Sequence, residues 1–185
     1  MRKKILFLAG MMACSSLAGA QEISKTWVAD KGNGTYQNPV LHADYSDPDV
    51  CAAGDDFYMT ASSFNCIPGI PILHSNDLVN WSLVNYALPI QEPEEFFDKA
   101  QHGKGVWAPA IRFHNGEFYI YWGDPDYGIY MIKTKDPKGK WSKPVLVKAG
   151  KGMIDPTPLW DEDGTVYLVH AYAGSRSGVN SIVVI

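Results

Sequence analysis

Three short passages of this chain are versions of one another, and their spacing constrains the fold more than any other feature. Each copy begins with a residue before a proline and reaches a tyrosine in an aromatic or β-branched run. The copies are Asp47-Pro48 to Tyr58, Ala108-Pro109 to Tyr119 and Asp155-Pro156 to Tyr167. The proline and the tyrosine are 10 residues apart in the first two copies and 11 in the third. Repeats of this kind indicate stacked or radially arranged units.

A second repeat and the turn chemistry predict that the units are antiparallel β. The segment 75–81 is echoed by the segment 134–141, and both end in tryptophan. Strands are predicted at residues 57–61, 118–122, 129–133, 144–147 and 166–171. The hairpin dipeptides Gly54-Asp55, Asn115-Gly116 and Asp163-Gly164 precede the clearest of them. The sequence therefore predicts two whole four-stranded propeller blades and the start of a third.

Two segments fall outside this pattern. Residues 92–99 are acidic and are predicted to form a loop excursion with some helical character, and residues 178–185 are predicted to begin another strand. An apolar strand at the end of a chain is an unpaired sheet edge. We therefore expect this chain to be the N-terminal part of a longer protein.

The first 20 residues have the pattern of a signal peptide. Three basic residues precede an apolar run over residues 5–17, and Ala18-Gly19-Ala20 forms a small-residue cleavage site. This pattern predicts export to the periplasm or the medium. A lipid anchor at Cys14 is the weaker alternative, because Met11 stands where a leucine is usual. Residues 21–35 are polar and are predicted to be an extended lead-in.

Composition narrows the class of partner. Without the leader, 13 basic residues face 20 acidic ones, which argues against nucleic acid as a partner. No stretch beyond the leader is apolar over the ~20 residues that a membrane span needs. Cys51 and Cys66 are the cysteines that remain, and they are predicted to be small core residues, with a disulfide as the alternative.

Asp47 and Asp155 are the repeat positions whose side chains could take part in a reaction. A residue before proline favours the extended region, so Asp47 is predicted to be extended and well positioned. An isolated Asp-Pro more often opens a turn. Ala108 in the middle copy shows that the repeat itself does not require an acid. Radial symmetry would point both aspartates to a shared axis, and paired carboxylates suggest glycoside hydrolysis.

The motifs around these positions resemble glycoside hydrolase family 43 over about residues 36–175. They occur in the same order and at similar spacing as in the family. They are Asn38-Pro39-Val40, Ser46-Asp47-Pro48-Asp49-Val50, Ser62-Ser63-Phe64, Pro68-Gly69-Ile70, His74-Ser75-Asn76-Asp77-Leu78, Gly105-Val106-Trp107-Ala108-Pro109 and Ile154-Asp155-Pro156.

The resemblance implies a five-bladed β-propeller that removes terminal xylose or arabinose from plant polysaccharides or oligosaccharides by an inverting mechanism. Asp47 matches the general base, and Asp155 matches the aspartate that orients the general acid and raises its pKa. Trp107 and Phe64 match facing walls of the sugar pocket, with ordinary core aromatics as the alternative. No cofactor is expected. No metal is expected either, because the histidines lack ligand spacing and residues 161–164 form a hairpin turn instead of a calcium loop.

The general acid of the family is a glutamate in a Glu-Gly-Pro type segment, which this chain does not match. The available glutamates are predicted to be solvated surface residues; they are Glu92, Glu94, Glu95, Glu117 and Glu162. The chain is therefore predicted to be inactive by itself. The alternative is a carbohydrate-binding propeller without catalysis. The choice between xylose and arabinose stays open.

Overall fold

A computed structural model describes residues 26–65, 67–179 and 183–185 of the chain. The predicted signal peptide, the first residues of the lead-in and Cys66 lie outside the described residues. Within them the fold is all-β, with three antiparallel sheets and two one-turn helices.

The strands follow the chain in simple up-and-down order. The first sheet contains β1 (Asp49–Ala53), β2 (Asp56–Thr60), β3 (Gly69–Ser75) and β4 (Ser82–Leu88). The second contains β5 (Trp107–His114), β6 (Glu117–Asp124), β7 (Gly128–Thr134) and β8 (Val145–Ala149). The third pairs β9 (Met153–Trp160) with β10 (Val166–Tyr172), and the helices are α1 (Glu94–Phe97) and α2 (Gly174–Ser177). Two four-stranded blades and the start of a third are thus confirmed.

Local turn chemistry explains why the hairpins form where they do. Asn115 and Gly116 connect β5 to β6 with φ of 48° and 77°, the left-handed pair that a tight hairpin turn requires. The turn over residues 161–165 closes β9 onto β10 through a hydrogen bond from Asp161 N to Thr165 O of 2.9 Å. This segment is therefore the hairpin that the sequence predicts.

Two predicted segments form less regular structure than expected. Of residues 92–99, only Glu94–Phe97 is helical. In the described part of 178–185, strand pairing is limited to one bridge between Val184 and His170. The predicted final strand is therefore seen only at one residue, and residues 180–182 lie outside the description.

The blades pack face to face through the alternation of β6. Phe118, Ile120 and Trp122 are buried, with exposed fractions of 4%, 0% and 1%. On this side the Phe118 ring lies 5.0 Å from Tyr58 in the first blade. On the opposite side the Tyr119 ring lies 5.1 Å from the Trp160 ring in the third sheet. Strand alternation therefore packs β6 against both neighbouring blades, with one face buried and the face of Tyr119 half-buried.

The innermost strands β1, β5 and β9 are tied together by Arg112. The Asp49 carboxylate accepts hydrogen bonds from Ile111 N at 2.8 Å and from the Arg112 guanidinium. Arg112 also donates to Thr157 Oγ1 at 2.8 Å. One side chain thus joins the innermost strands of three blades.

The repeated tryptophans close equivalent connections in the first two blades. Trp81 Nε1 donates to Leu78 O at 3.0 Å, and Trp141 Nε1 donates to Pro137 O at 3.3 Å. Trp141 is buried in the core and Trp81 is half-buried. Cys51 is half-buried with a free thiol, and burial raises its pKa to about 12.

Candidate active site

The three residues that precede the repeated prolines share an unusual backbone conformation. Asp47, Ala108 and Asp155 have φ of 50°, 32° and 52°. These values lie in the left-handed region, which is costly for residues other than glycine. The prediction that Asp47 is extended is therefore wrong.

A β-bulge explains the difference. Along β5, Trp107 lies opposite Gly123 and Ala110 lies opposite Tyr121, so two residues of β5 face one residue of β6. A bulge of this kind often has its first residue in the left-handed region, and it redirects a side chain. The register gives the same arrangement in all three blades: Asp47-Pro48 faces Ala61, Ala108-Pro109 faces Trp122, and Asp155-Pro156 faces His170. Sheet register outweighs the preference that proline imposes on its neighbour.

Asp47 is exposed and is held by two serines. Ser62 Oγ donates to Asp47 Oδ2 at 2.7 Å, and Ser46 Oγ donates to the same oxygen at 3.1 Å. Ser62 Oγ in turn accepts the Ala108 N–H at 2.8 Å, which leaves its single proton for Asp47. The second blade therefore fixes the serine that orients the carboxylate of the first.

Asp155 lies close enough to Asp47 to feel its charge. Loss of hydration raises the pKa of Asp155 above its ordinary value, and the negative charge of Asp47 raises it further. A neighbouring like charge disfavours the ionised form. The structure therefore brings the two predicted aspartates together in one electrostatically coupled site.

Two glycines allow the blades to approach at this end. A Cβ on Gly105 would lie 2.2 Å from Ser63 O, and a Cβ on Gly123 would lie 2.6 Å from Met153 O. Side chains at these positions would force the first blade from the second and the second from the third. The lack of a side chain at both glycines therefore allows the close spacing of the three bulges.

Trp107 and Phe64 form an aromatic corner beside the bulges. Their ring centroids are 6.1 Å apart in an edge-to-face arrangement, and both side chains are half-buried. Trp107 Nε1 donates to Gly103 O at 2.9 Å, and Gly103 N donates to Asn65 Oδ1 at 2.7 Å. Because the indole is anchored by its own N–H, its ring is held in place while part of it stays open to solvent.

Asp124 is a buried acid that sequence reasoning missed. It is 2% exposed at the end of β6, and burial raises its pKa to about 6. Its Oδ1 accepts from Asp126 N at 2.9 Å and from Tyr127 N at 3.2 Å. Among the described residues its Oδ2 has no hydrogen-bond partner of ordinary geometry, although the buried Gln91 amide lies nearby.

Aligning the three copies at their tyrosines would have revealed two of the missed residues. Ser62 stands where the other copies have Gly123 and Ala171. Asp124 stands where the first copy has Ser63. Ser62 is a polar residue where the other copies have small apolar ones, and Asp124 is an acid where the first copy has a neutral serine; these differences are the signal that was available. Arg112 gave no such signal, because only the packing of blades shows what it reaches.

The glutamates lie away from the coupled aspartates or are exposed. Glu117 accepts from Lys133 Nζ at 2.9 Å and from the Tyr119 hydroxyl at 3.0 Å, at the hairpin end of β6. These hydrogen bonds lower its pKa, the one from Lys133 most. Glu162 lies in the turn beyond Trp160, at the end of β9 opposite to Asp155. Exposure is confirmed for Glu92, Glu94, Glu95 and Glu162, and Glu117 is half-buried.

Metal and membrane features can be stated for the described residues alone. Within residues 26–65, 67–179 and 183–185, no three His, Cys, Asp or Glu side chains gather as a metal site would require. In the same ranges no helix is long and apolar enough to cross a membrane.

Comparison with known proteins places these features in a family. Residues 36–185 match the family described as "Glycosyl hydrolases family 43". A β-xylosidase from Formosa agariphila is 34% identical over 194 residues, which cover 97% of this chain and 33% of that protein. A non-reducing end α-L-arabinofuranosidase from Bacteroides ovatus is 37% identical over 73% of this chain and 26% of its own length.

Solved structures agree with the sequence comparison. A GH43 protein from Bacillus licheniformis has a TM-score of 0.63 and 34% identity, over 73% of this chain and 28% of that one. The chain thus spans about a quarter to a third of the length of these three relatives. The family match over most of the chain, together with relatives above 30% identity, shows that this partial propeller belongs to glycosyl hydrolase family 43.

Proposed function

We propose that the protein containing these blades hydrolyses the glycosidic bond of a terminal xylose or arabinose unit with inversion at the anomeric carbon. One observation carries the proposal: Asp47 and Asp155 occupy equivalent bulges and their charges are coupled. Glycoside hydrolysis uses a carboxylate base, and a like-charged carboxylate near the site raises the pKa of the acid that works with it. The names of the relatives, β-xylosidase and α-L-arabinofuranosidase, support a pentose as the sugar.

In this proposal Asp47 is the general base. Two serine hydroxyls hold its Oδ2, so the carboxylate has a defined direction and Oδ1 is left to accept a proton from water. A fixed base removes the proton as the water attacks the anomeric carbon. The bond to the leaving oxygen breaks in the same step, which inverts the configuration.

Asp155 acts through the general acid instead of on the sugar. Its position near the Asp47 charge gives the site a second carboxylate, which in this proposal lies beside the general acid. A negative neighbour raises the pKa of a carboxylic acid and keeps it protonated until it donates to the leaving oxygen. Trp107 and Phe64 would present ring faces to the C–H groups of the sugar.

The general acid is proposed to come from residues beyond these 185. Glu117 is bound to Lys133, and Glu162 lies past the far end of β9 from Asp155. The five residue steps of strand between Asp155 and Trp160 span roughly 17 Å, too far for a proton transfer at one sugar. We therefore expect this chain alone to bind sugar without turning it over.

A binding propeller without catalysis is the second candidate. It is favoured by one observation: the aromatic corner of Trp107 and Phe64 is formed within this chain, while among the described residues no glutamate is shown near the aspartates. A complete protein that binds a pentoside and never cleaves it would establish this candidate.

The test uses the protein encoded by the complete reading frame and 4-nitrophenyl pentosides of β-D-xylose and α-L-arabinose. Asp47→Asn is expected to lower kcat by about 10²–10⁴-fold, the usual contribution of a general base, with KM little changed. Asp55→Asn is the matched control, because Asp55 is an exposed aspartate in the β1–β2 turn. Undiminished turnover by Asp47→Asn would refute the assignment, and NMR of the first-formed anomer checks inversion.

A further inference from the structure

Arg112 forms hydrogen bonds to residues on the innermost strands of three sheets. Its guanidinium donates to the Asp49 carboxylate on β1 and to Thr157 Oγ1 on β9, the latter at 2.8 Å. On its own strand it donates to Ile111 O at 2.7 Å, and Ile111 N donates to Asp49 at 2.8 Å. The side chains of Asp49, Arg112 and Thr157, here named the interstrand tie, therefore connect β1 to β9 across β5.

The two ends of the interstrand tie occupy equivalent places in the repeat. Asp49 follows Asp47 by two residues, and a proline stands between them. Thr157 follows Asp155 in the same way. Proline fixes its own φ, so each short link has one backbone angle fewer that can vary. Holding Asp49 and Thr157 therefore restrains the backbone positions of the two aspartates that precede the prolines.

The other copies of the repeat have no group that could form such a tie. Four residues after the bulge residue, where the second copy has Arg112, the first copy has Cys51 and the third has Leu159. Neither side chain can donate hydrogen bonds to both neighbouring strands. Strand β5 packs against both β1 and β9. Among the three copies, the bridging group therefore occurs in the strand that lies between the two aspartates.

Spacing is a better reason for this tie than stability. The Arg112 and Asp49 side chains keep 34% and 31% of their surface exposed, and ion pairs with this much contact with water contribute little to the free energy of unfolding. The energy between two charges, in contrast, varies inversely with their separation. A misplacement of about 1 Å at a reacting group can lower a rate by about 10²-fold. Small changes in separation therefore matter at a site with two carboxylates.

We propose that Arg112 is a positioning residue that sets the separation of Asp47 and Asp155 through the interstrand tie. The glycines between the blades allow a close approach, and the tie fixes how close that approach is. Arg112 acts through the backbone of β1 and β9, without contact with the sugar. The inference rests on the proposed function and adds to it the group that maintains its geometry.

Thr157→Val tests the tie with the least disturbance, because valine is close to threonine in shape and lacks the hydroxyl that accepts from Arg112. In the complete protein, kcat on the preferred nitrophenyl pentoside is expected to fall roughly tenfold, with KM within about twofold of the wild-type value. Thr157→Ser keeps a hydroxyl and is expected to recover most of kcat. Equal kcat in the wild type and Thr157→Val overturns the proposal, and so does a Thr157→Ser variant as slow as Thr157→Val.

The pH profile separates a positioning role from a merely structural one. A broken tie lets the two negative charges move apart, which weakens the field that keeps the general acid protonated. The alkaline limb of the kcat profile is therefore expected to move to lower pH in Thr157→Val. A structural loss lowers the folded fraction and leaves both the pH profile and kcat per folded molecule unchanged, and that result overturns the proposal.

Other titratable groups around β9 stay in place in Thr157→Val, so they do not account for a shifted profile. They include Cys51 on β1, His114 on β5, Tyr119 and Tyr121 on β6, and His170 on β10, whose ring accepts from Lys148 on β8.

Arg112→Met removes the centre of the tie and is expected to lower kcat at least as much as Thr157→Val. Adding Thr157→Val to Arg112→Met is expected to lower kcat by less than a further twofold, because both changes act on one tie. Losses that multiply would show independent effects and overturn the proposal. If Arg112→Met does not fold, the Thr157 variants decide the test.

Lys133→Met is the matched control for the loss of an ion pair. It breaks the pair of Lys133 with Glu117, whose charged atoms are 2.9 Å apart at the hairpin end of β6. This variant is expected to change neither kcat nor the pH profile. A loss of kcat equal to that of Arg112→Met would show that the loss of any ion pair slows the reaction, which overturns the proposal.

Failure of the proposed function gives a different result. A wild-type protein that cleaves neither the xyloside nor the arabinoside contradicts that function, and NMR titration of the Asp155 carboxyl carbon then tests the tie by itself. Burial and the Asp47 charge raise the pKa of Asp155, so a broken tie in Thr157→Val is expected to lower this pKa. An unchanged pKa of Asp155 would overturn the positioning role whatever the activity.

Discussion

The first and second blades begin with the same backbone and different chemistry. Asp47-Pro48 and Ala108-Pro109 both form a bulge, and both first residues have a positive φ. One carries a carboxylate and the other a methyl group. The left-handed bulge is therefore a property of the repeat, and the acid is an addition to it.

The second blade, whose bulge carries no acid, still contributes to the site. Ala108 N donates to Ser62 Oγ, and this fixes the serine that donates to Asp47. A strained conformation near an active site often suggests that the strain serves catalysis. The comparison argues otherwise here, because Ala108 has the same strain and no reactive group.

The ends of β2 and β6 differ in a second way. Ser63 and Asp124 occupy equivalent places, five residues after the tyrosines of their copies. Ser63 Oγ accepts from Ile70 N at 3.0 Å, whereas Asp124 accepts from Asp126 N and Tyr127 N. Both side chains hold a turn, but only the second blade buries a titratable group to do so.

Moving the carboxylate between blades is the strongest test of this comparison. In the complete protein, Asp47→Ala combined with Ala108→Asp is expected to lower kcat on the preferred nitrophenyl pentoside by about 10²–10⁴-fold. The new carboxylate cannot replace the old one, because it lies on the bulge of the second blade and not at the position of Asp47. Recovery of activity relative to Asp47→Ala alone would show that the blades are interchangeable.

The buried acid of the second blade predicts a pH-dependent stability. Its pKa is about 6 in the folded protein, above the ordinary value of 3.8, so the protonated form is favoured by folding. The stabilisation that protonated Asp124 contributes is fully present below about pH 4. It is lost as the pH rises through 6, which lowers the free energy of unfolding by up to ~3 kcal/mol. Urea unfolding at pH 4 and pH 7 measures it.

Asp124→Asn is the matching variant, and it is expected to reduce the change in unfolding free energy between pH 4 and pH 7. Asp55→Asn is the control, because its side chain is exposed in a turn. A free energy of unfolding that changes by the same amount between pH 4 and pH 7 in the wild type and in Asp124→Asn would contradict the prediction.

The two serines of the first blade are expected to differ in importance. Ser62→Ala removes the hydrogen bond to Asp47 and leaves Ala108 N without its partner, so a loss of about 1–2 kcal/mol in unfolding free energy is expected. Ser46→Ala removes one longer hydrogen bond, and a loss below about 1 kcal/mol is expected. Denaturant titration of both variants shows which serine contributes more to the free energy of unfolding. A larger loss for Ser46→Ala would contradict the prediction that Ser62 contributes more.

The smallest effect is expected for Ala108→Gly. Glycine relieves the left-handed strain of about 1–2 kcal/mol, but it also adds conformational freedom to the unfolded chain, so a net change below about 1 kcal/mol is expected. Ala108→Val is the contrasting variant, because a β-branched residue tolerates this φ poorly. If the two variants have equal stability, the bulge is not strained at this position.

Features that depend on neighbours in the chain were predictable. The Asn115-Gly116 turn follows from the φ that these residues accept, and the alternation of Phe118, Ile120 and Trp122 marks β6 as a strand. The repeated prolines located both aspartates at equivalent places. The bulge at Asp47 was not predictable from Pro48, because it depends on which residue of β2 lies opposite.

The sequence by itself determined the all-β repeat, its hairpins and the two aspartates that the first and third copies carry. These are local properties of turn residues, side-chain alternation and spacing. Only the tertiary structure decided the left-handed φ of the bulges, the Ser62 link from Ala108 to Asp47, the reach of Arg112 across three blades and the raised pKa of Asp155. Each of these depends on which atoms of distant segments meet, and the packing of blades against one another sets that distance.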